Sequence, residues 1–361
     1  MKIDQAAVFR LKPNAPVPKV KEILKRRGYR IEKNRTEQFK KLARRSGNTP
    51  LVDVSSYGIT VPNGNRIIAK FEFQNFPTHS HYDRVYPYLF WCWEQTGIGP
   101  HTHEVMETSS GNASPAFANV AKELGYTPYC VVPKEISERR RSFSEKEGGI
   151  VIVSESEDGF GVPGAANRQK KELIKRIKER MKKPELKRLV SINHSQVSEA
   201  LVPMRILVGE VVRAVKEKID CFVGIAGNGT TLYGIGSELK RIFPEMKVWA
   251  LEPRKQAGLY QMKYPTSPFK ENGEELTEII MPGSGVKGLN FPHLNASVEI
   301  VDNVRLVEAG EWAETEETFE NASNISLGYT SSASLMAALE YSREVENQTI
   351  FTVFYDLLEK Y

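Results

Sequence analysis

From residue 48 onward this chain alternates short apolar runs with stretches of helical periodicity, and few architectures accept that pattern. Runs at 67–73, 104–108, 129–133, 150–154, 189–192, 221–225, 248–251 and 350–354 have the length and boundaries of buried strands. Between them lie segments such as PAFANVAKELGY at 115–126, where Phe117, Val120 and Leu124 share a helical face and Gly125 supplies a stop. The alternation predicts an α/β fold of mainly parallel, twisted sheets flanked by helices. In such sheets ligands settle beyond the carboxyl ends of the strands, so the loops leaving those ends are the places to look for chemistry.

At 361 residues the chain has room for one large two-lobed domain or two ordinary ones. Its 40% apolar and 26% charged residues describe a soluble globular protein, and no apolar run approaches the ~20 residues that span a bilayer. The start MKIDQAAVFRLK lacks the apolar core of a secretory signal, so a cytoplasmic location is expected. Cys92, Cys130 and Cys221 are far apart and form no CxxC, which predicts buried apolar thiols rather than disulfides. Much of the net charge of +5 lies in residues 1–46 and 168–188. The second stretch carries Leu173, Ile174, Ile177 and Met181 at helical spacing, the pattern of a solvated surface helix, so neither a nucleic acid nor a membrane is expected as partner.

Three strand-end loops carry signals. After the run at 221–225 comes AGNGTTLYGIG, where Gly227 and Gly229 permit a tight turn with amides aimed outward. Asn228 lies between them, Thr230 and Thr231 add hydroxyls, and a helix begins with Leu232, Ile235, Leu239 and Ile242 on its inner face. Strand, glycine turn and helix N-terminus make a phosphate cradle, and the absence of a Walker lysine and of GxGxxG argues against nucleoside triphosphates and dinucleotides. The second loop, TSSGNAS at 108–114, is either a helix-capping turn or a ring of donors around an anion. In the third, SLGYTSSASLMAAL at 326–339, Thr330 precedes an alanine-rich helix, where its hydroxyl is a cap or meets a heteroaromatic nitrogen.

These motifs, in this order, resemble those of the fold type II (tryptophan synthase β-like) pyridoxal-phosphate enzymes from about residue 46 to the end. SGNTPLV at 46–52 looks like the opening motif of cysteine synthases, and GNGTT at 227–231 is worded most like threonine synthases. The resemblance implies pyridoxal 5′-phosphate as cofactor, with its phosphate on Gly227, Asn228, Gly229, Thr230 and Thr231, its ring hydroxyl on Asn112 and its ring nitrogen facing Thr330. It implies that Ser109, Ser110, Gly111 and Asn112 receive a substrate carboxylate. It also implies a homodimer acting on a small amino acid or metabolite. The organisation it implies is a basic extension at 1–45, a large lobe at 46–72 plus 196–361, and a small lobe at 73–195.

One loop departs from the resemblance. The family form Asn-Pro-Thr-Gly-Ser-x-Lys-Asp-Arg is represented by KFEFQNFPTHSHYDR at 70–84, which keeps Asn75, Pro77, Ser80, Asp83 and Arg84. His79 stands at the glycine position and Tyr82 at that of the lysine that forms the internal imine. Tyrosine has no primary amine, and its pKa of about 10 makes it a poor base. The cofactor is therefore expected to be held without a covalent bond, with Ser80, His81 and Tyr82 as the candidate catalytic residues. Lys70 is the nearest lysine in sequence, and the family's Asp-Ser-Gly is here Asp356, Leu357, Leu358. The pairs His79/His81 and His101/His103 suggest metal ligands, but the strand between them separates them too far, so no metal is expected. Two functions follow from these residues: cysteine synthase-like β-elimination or β-replacement, or a catalytically silent relative that binds cofactor, metabolite or partner. The aromatic run YPYLFWCW at 86–93 is expected to pack in the core, with an interface as the alternative.

Overall fold

The computed structural model describes residues 33–266 and 290–361, so most of the basic extension lies outside the described residues. Two sheets organise the chain. The larger has the order β1 (Leu51–Asp53), β2 (Arg66–Phe71), β10 (Thr349–Phe354), β7 (Cys221–Ile225), β8 (Lys247–Pro253), β9 (Asn303–Val307). Only the β1–β2 pair is antiparallel. The smaller sheet is wholly parallel, in the order β5 (Ile150–Val153), β4 (Pro128–Val132), β3 (His103–Thr108), β6 (Arg188–Ser191). The α/β fold with mainly parallel sheets is as the sequence predicts. Two strands were missed: β1 has only three residues, and β9 alternates Asn303 and Arg305 with apolar neighbours, as an edge strand does.

The central strands β7 and β10 are buried at every position, as strands covered on both faces must be. Phe117, Val120 and Leu124 bury their shared face, and the helix Val85–Glu94 buries Tyr86, Tyr88, Leu89 and Phe90, which favours core packing for the aromatic run. Cys130 and Cys221 are buried and Cys92 is half-buried, all as free thiols.

The helix Gly161–Lys182 corrects one expectation. Ile174, Ile177 and Met181 are exposed, and the inward stripe runs instead through Ala165, Gln169 and Leu173 to Arg176. Arg176 pairs with Glu104 on β3 and lines one groove with Met106, Tyr129 and Leu189 of the sheet, and Arg180 Nε donates to the Leu186 carbonyl at 2.7 Å.

Beneath the cleft lies a four-member ionic cluster that no sequence motif announced. Arg84 Nε meets Glu72 Oε2 at 2.7 Å and its Nη1 meets Glu210 Oε1 at 2.6 Å. Lys70 Nζ meets Glu210 Oε2 at 2.8 Å and also donates to the Thr49 carbonyl. All four side chains are essentially sealed from solvent, and two acids balance two bases. Lys70 is thereby committed to the core, although burial lowers its pKa against the pull of both glutamates.

Candidate active-site cleft

The strand order positions the site. β2, β10 and β7 are adjacent and parallel, so the segments leaving their carboxyl ends, 72–84, 355–361 and 226–229, emerge side by side. The exit loop of β3, the central parallel strand of the smaller sheet, faces them. One pocket of about 60 Å³ collects residues from all these segments: Tyr82, Asn112, Gly227 to Gly229, Thr231, Thr330 and Tyr355, with His81, Ser109 and Gly111 at its wall. A second pocket of about 110 Å³ adjoins it, lined by Ser109, Ser110, His194 and Asn193. Tyr82, Ser109 and Asn228 line both.

In the glycine turn, Gly229 has φ 87° just before the helix Thr230–Ile242. A Cβ there would fall 2.2 Å from the Leu294 nitrogen, so the glycine is required by close approach of the next helix as well as by the turn. Replacing it by valine would disturb that packing, not only a ligand. Asn228 Oδ1 accepts from the Thr230 amide at 2.9 Å and its Nδ2 donates to His194 Nε2 at 2.9 Å. Thr231 Oγ1 lies 3.1 Å from His81 Nε2. Thr230 Oγ1 and His81 Nδ1 are buried with no hydrogen-bond partner among the described residues, leaving this end of the cleft with unused polar capacity.

Around position 82 the Asp83 carboxylate accepts from the Thr78 amide at 3.1 Å, the Thr78 hydroxyl at 2.7 Å and the Ser80 amide at 3.2 Å, fixing the loop that presents Tyr82. The Tyr82 ring packs 4.2 Å from His81 and edge-on to His194 at 5.1 Å. Burial pushes its phenol pKa up, so it stays protonated and is a poor base at neutral pH. Burial pulls His81 down to about 3, so this imidazole is uncharged at neutral pH. His79 takes φ 55°, a conformation glycine adopts freely, and its ring meets the Phe73 carbonyl at 3.2 Å rather than lining the pocket.

Several groups at the site had no sequence signal. Glu107 Oε2 lies 3.1 Å from His194 Nδ1 and accepts from Tyr86 Oη at 3.2 Å, so His194 is held from behind by a buried carboxylate. Asp356 Oδ2 accepts from Asn112 Nδ2 at 2.8 Å, and Tyr361 Oη lies 3.4 Å from Thr330 Oγ1. Lys360 Nζ donates to the Thr78 carbonyl at 2.6 Å, the His79 carbonyl at 2.7 Å and Asn112 Oδ1 at 3.1 Å. A lysine and a tyrosine in a short terminal turn carry no spacing pattern to read. Only the β10 register, which places the tail between two cleft loops, reveals them. Among the described residues no cluster of three or more His, Cys, Asp or Glu is arranged to hold a metal.

Residues 42–356 match the family described as pyridoxal-phosphate dependent enzyme. The chain belongs to that family. It is 25% identical over 316 residues to cysteine synthase B of Campylobacter jejuni, covering 87% of this chain and 94% of that relative. A hydrogen sulfide-producing enzyme from Fusobacterium nucleatum shares the fold with a TM-score of 0.71 at 24% identity, covering 88% of this chain and 97% of that one. An O-acetylserine dependent cystathionine β-synthase from Helicobacter pylori does so with a TM-score of 0.71 at 22% identity, covering 88% and 95%.

The family's cofactor finds compatible groups here. The Thr231 hydroxyl and the helix N-terminus at Gly229 line the pocket and suit an anion, and Asn112 and Thr330 add polar side chains to the same lining.

Proposed function

We propose that this chain binds pyridoxal 5′-phosphate in the cleft with no covalent bond at position 82, and acts on a small amino acid by β-elimination or β-replacement. The observation that carries the reading is the single pocket that brings together the glycine turn, the Asn112 loop and Thr330 from distant parts of the sequence. The cofactor, when bound, supplies an electron sink for bond cleavage at the amino-acid substrate. Thr230, Thr231 and the turn amides hold its phosphate, and Asn112 and Thr330 orient its ring. Ser109, Ser110 and Gly111 receive the substrate carboxylate, and the Ser109 hydroxyl already accepts from the Gly111 amide at 3.0 Å, which shapes that loop for an anion. A homodimer in the cytoplasm completes the reading.

Supplied with the cofactor, the purified chain is expected to release pyruvate from O-acetylserine or serine. Asn112→Ala should lower that rate at least about tenfold, the loss of one orienting hydrogen bond to a charged ligand. The silent-relative reading, which the tyrosine at position 82 favours, is upheld instead if the cofactor binds and neither amino acid changes its absorbance or is consumed.

A further inference from the structure

We propose that Lys360 is the residue to which the cofactor's aldehyde becomes covalently attached in this chain. The inference rests on the reading that the cleft binds pyridoxal phosphate, and adds an attachment site that neither the glycine turn nor the Asn112 loop reveals.

β10 lies between β2 and β7, so its continuation at 355–361 leaves the sheet between the loop that carries Tyr82 and the glycine turn. Tyr355 at the start of that continuation lines the pocket. Five residues later, Lys360 turns its amine onto the carbonyls of Thr78 and His79, the same loop that presents Tyr82. Its third acceptor is the carboxamide oxygen of Asn112, a pocket-lining residue. The amine therefore touches one residue that lines the pocket, Asn112, and the backbone of the loop that leads to Tyr82.

Elimination strengthens the case. Lys70 and Lys360 are the two buried lysines among the described residues. Lys70 is paired with Glu210 in the ionic cluster, away from the pocket. Lys360 has no carboxylate in direct ion-pair contact among the described residues. Burial draws its pKa down to about 8, with Asp356, Asp83 and Glu359 opposing the fall and Arg140 adding to it. An amine at about 8 is neutral at pH 7 on the order of a hundred times more often than an ordinary surface lysine, and the neutral amine is the nucleophile.

The step needs no further reagent. The lone pair on Nζ adds to the aldehyde carbon, the carbonyl oxygen takes up the two amine hydrogens and leaves as water, and a carbon–nitrogen double bond remains. No atom is oxidised or reduced. For this to occur Nζ must release the Thr78 and His79 carbonyls.

The test is peptide mapping after borohydride reduction of the full chain with pyridoxal phosphate, with and without excess inorganic phosphate, beside an equilibrium titration read by protein fluorescence. The expected result is a reduced phosphopyridoxyl group on the peptide containing Lys360, dominant over other lysines, rising as pH passes 8 and suppressed by phosphate. Lys360→Arg keeps a donor for the same carbonyls and should abolish the adduct, while the fluorescence titration still shows phosphate-sensitive binding, weakened by loss of the covalent bond. Phosphate-sensitive binding with Lys360 unmodified overturns the inference and leaves the proposed function standing, with Lys360 as a clamp only. Scattered, phosphate-insensitive labelling also overturns it. Absence of phosphate-sensitive binding overturns both.

Discussion

Glu210→Ala is expected to destabilise the fold by roughly 3–5 kcal/mol, the magnitude for removing one partner of a buried ion pair. In the native chain Glu210 answers both Arg84 and Lys70, and Glu72 answers Arg84 from the other side. Without Glu210 two cations would share one carboxylate in a sealed site, and Lys70 would keep only the Thr49 carbonyl of the contacts described for it. The loss is a desolvation penalty, larger than anything a surface pair could show. Burial alone would raise the pKa of Glu210, but Arg84 and then Lys70 outweigh it and hold it down to about 2. A carboxylate depressed in this way contributes its stability fully above the ordinary value of 4.5 and loses it as pH falls toward about 2. Urea unfolding of both proteins at neutral pH measures the difference. A change below about 1 kcal/mol would show that the cluster is not what anchors the loop at 72–84 to the core.

Tyr82→Lys is expected to create a second amine at the cofactor and move covalent attachment to position 82. The loop that presents this residue is already fixed by Asp83 through Thr78 and Ser80, so the new side chain starts from an ordered backbone. Removing the ring also clears one of the three side chains shared by the two pockets, leaving Ser109 and Asn228 between them. Burial beside His81 and His194 would lower the pKa of a lysine there and favour its neutral form. The expected readout is a visible absorbance band that borohydride bleaches, with the reduced adduct on the peptide spanning 75–84 even when Lys360 is arginine. Because the His79 ring contacts the Phe73 carbonyl, the additional change His79→Gly should leave the band in place. A band absent from Tyr82→Lys in excess cofactor would mean that the aldehyde does not reach this loop.

Much of this cleft was legible in the sequence because its parts are local. Glycine turns, a helix start and a Ser-rich loop each sit within a few residues, and their periodic neighbours place them at strand ends. Gly227 to Gly229 and Thr231, Ser109, Gly111 and Asn112, and Thr330 do meet in one pocket, whereas Thr230 does not line it and Ser110 lines the adjoining one. The parts that were not legible depend on register and on long-range pairing. Arg84 and Glu210 are 126 residues apart, and no local pattern announces that they touch. Glu107 with His194 and Lys360 with Thr78 are of the same kind. Lys70 is the lysine nearest to position 82 in sequence, and the strand carries it into the ionic cluster. The helix Gly161–Lys182 was misread for a related reason: its Arg176 pairs with Glu104 and lines a groove with residues of the sheet, and periodicity of apolar residues alone does not register that.

The central claim is that this cleft recognises a phosphate-bearing pyridoxal, and comparing pyridoxal phosphate with pyridoxal in equilibrium titrations tests it most directly. Two or more charge-assisted hydrogen bonds from the turn amides and Thr230 or Thr231 should make the phosphate ester bind at least about 100-fold more tightly, with inorganic phosphate competing. Equal affinity for the two aldehydes, or binding that phosphate does not displace, would contradict the account.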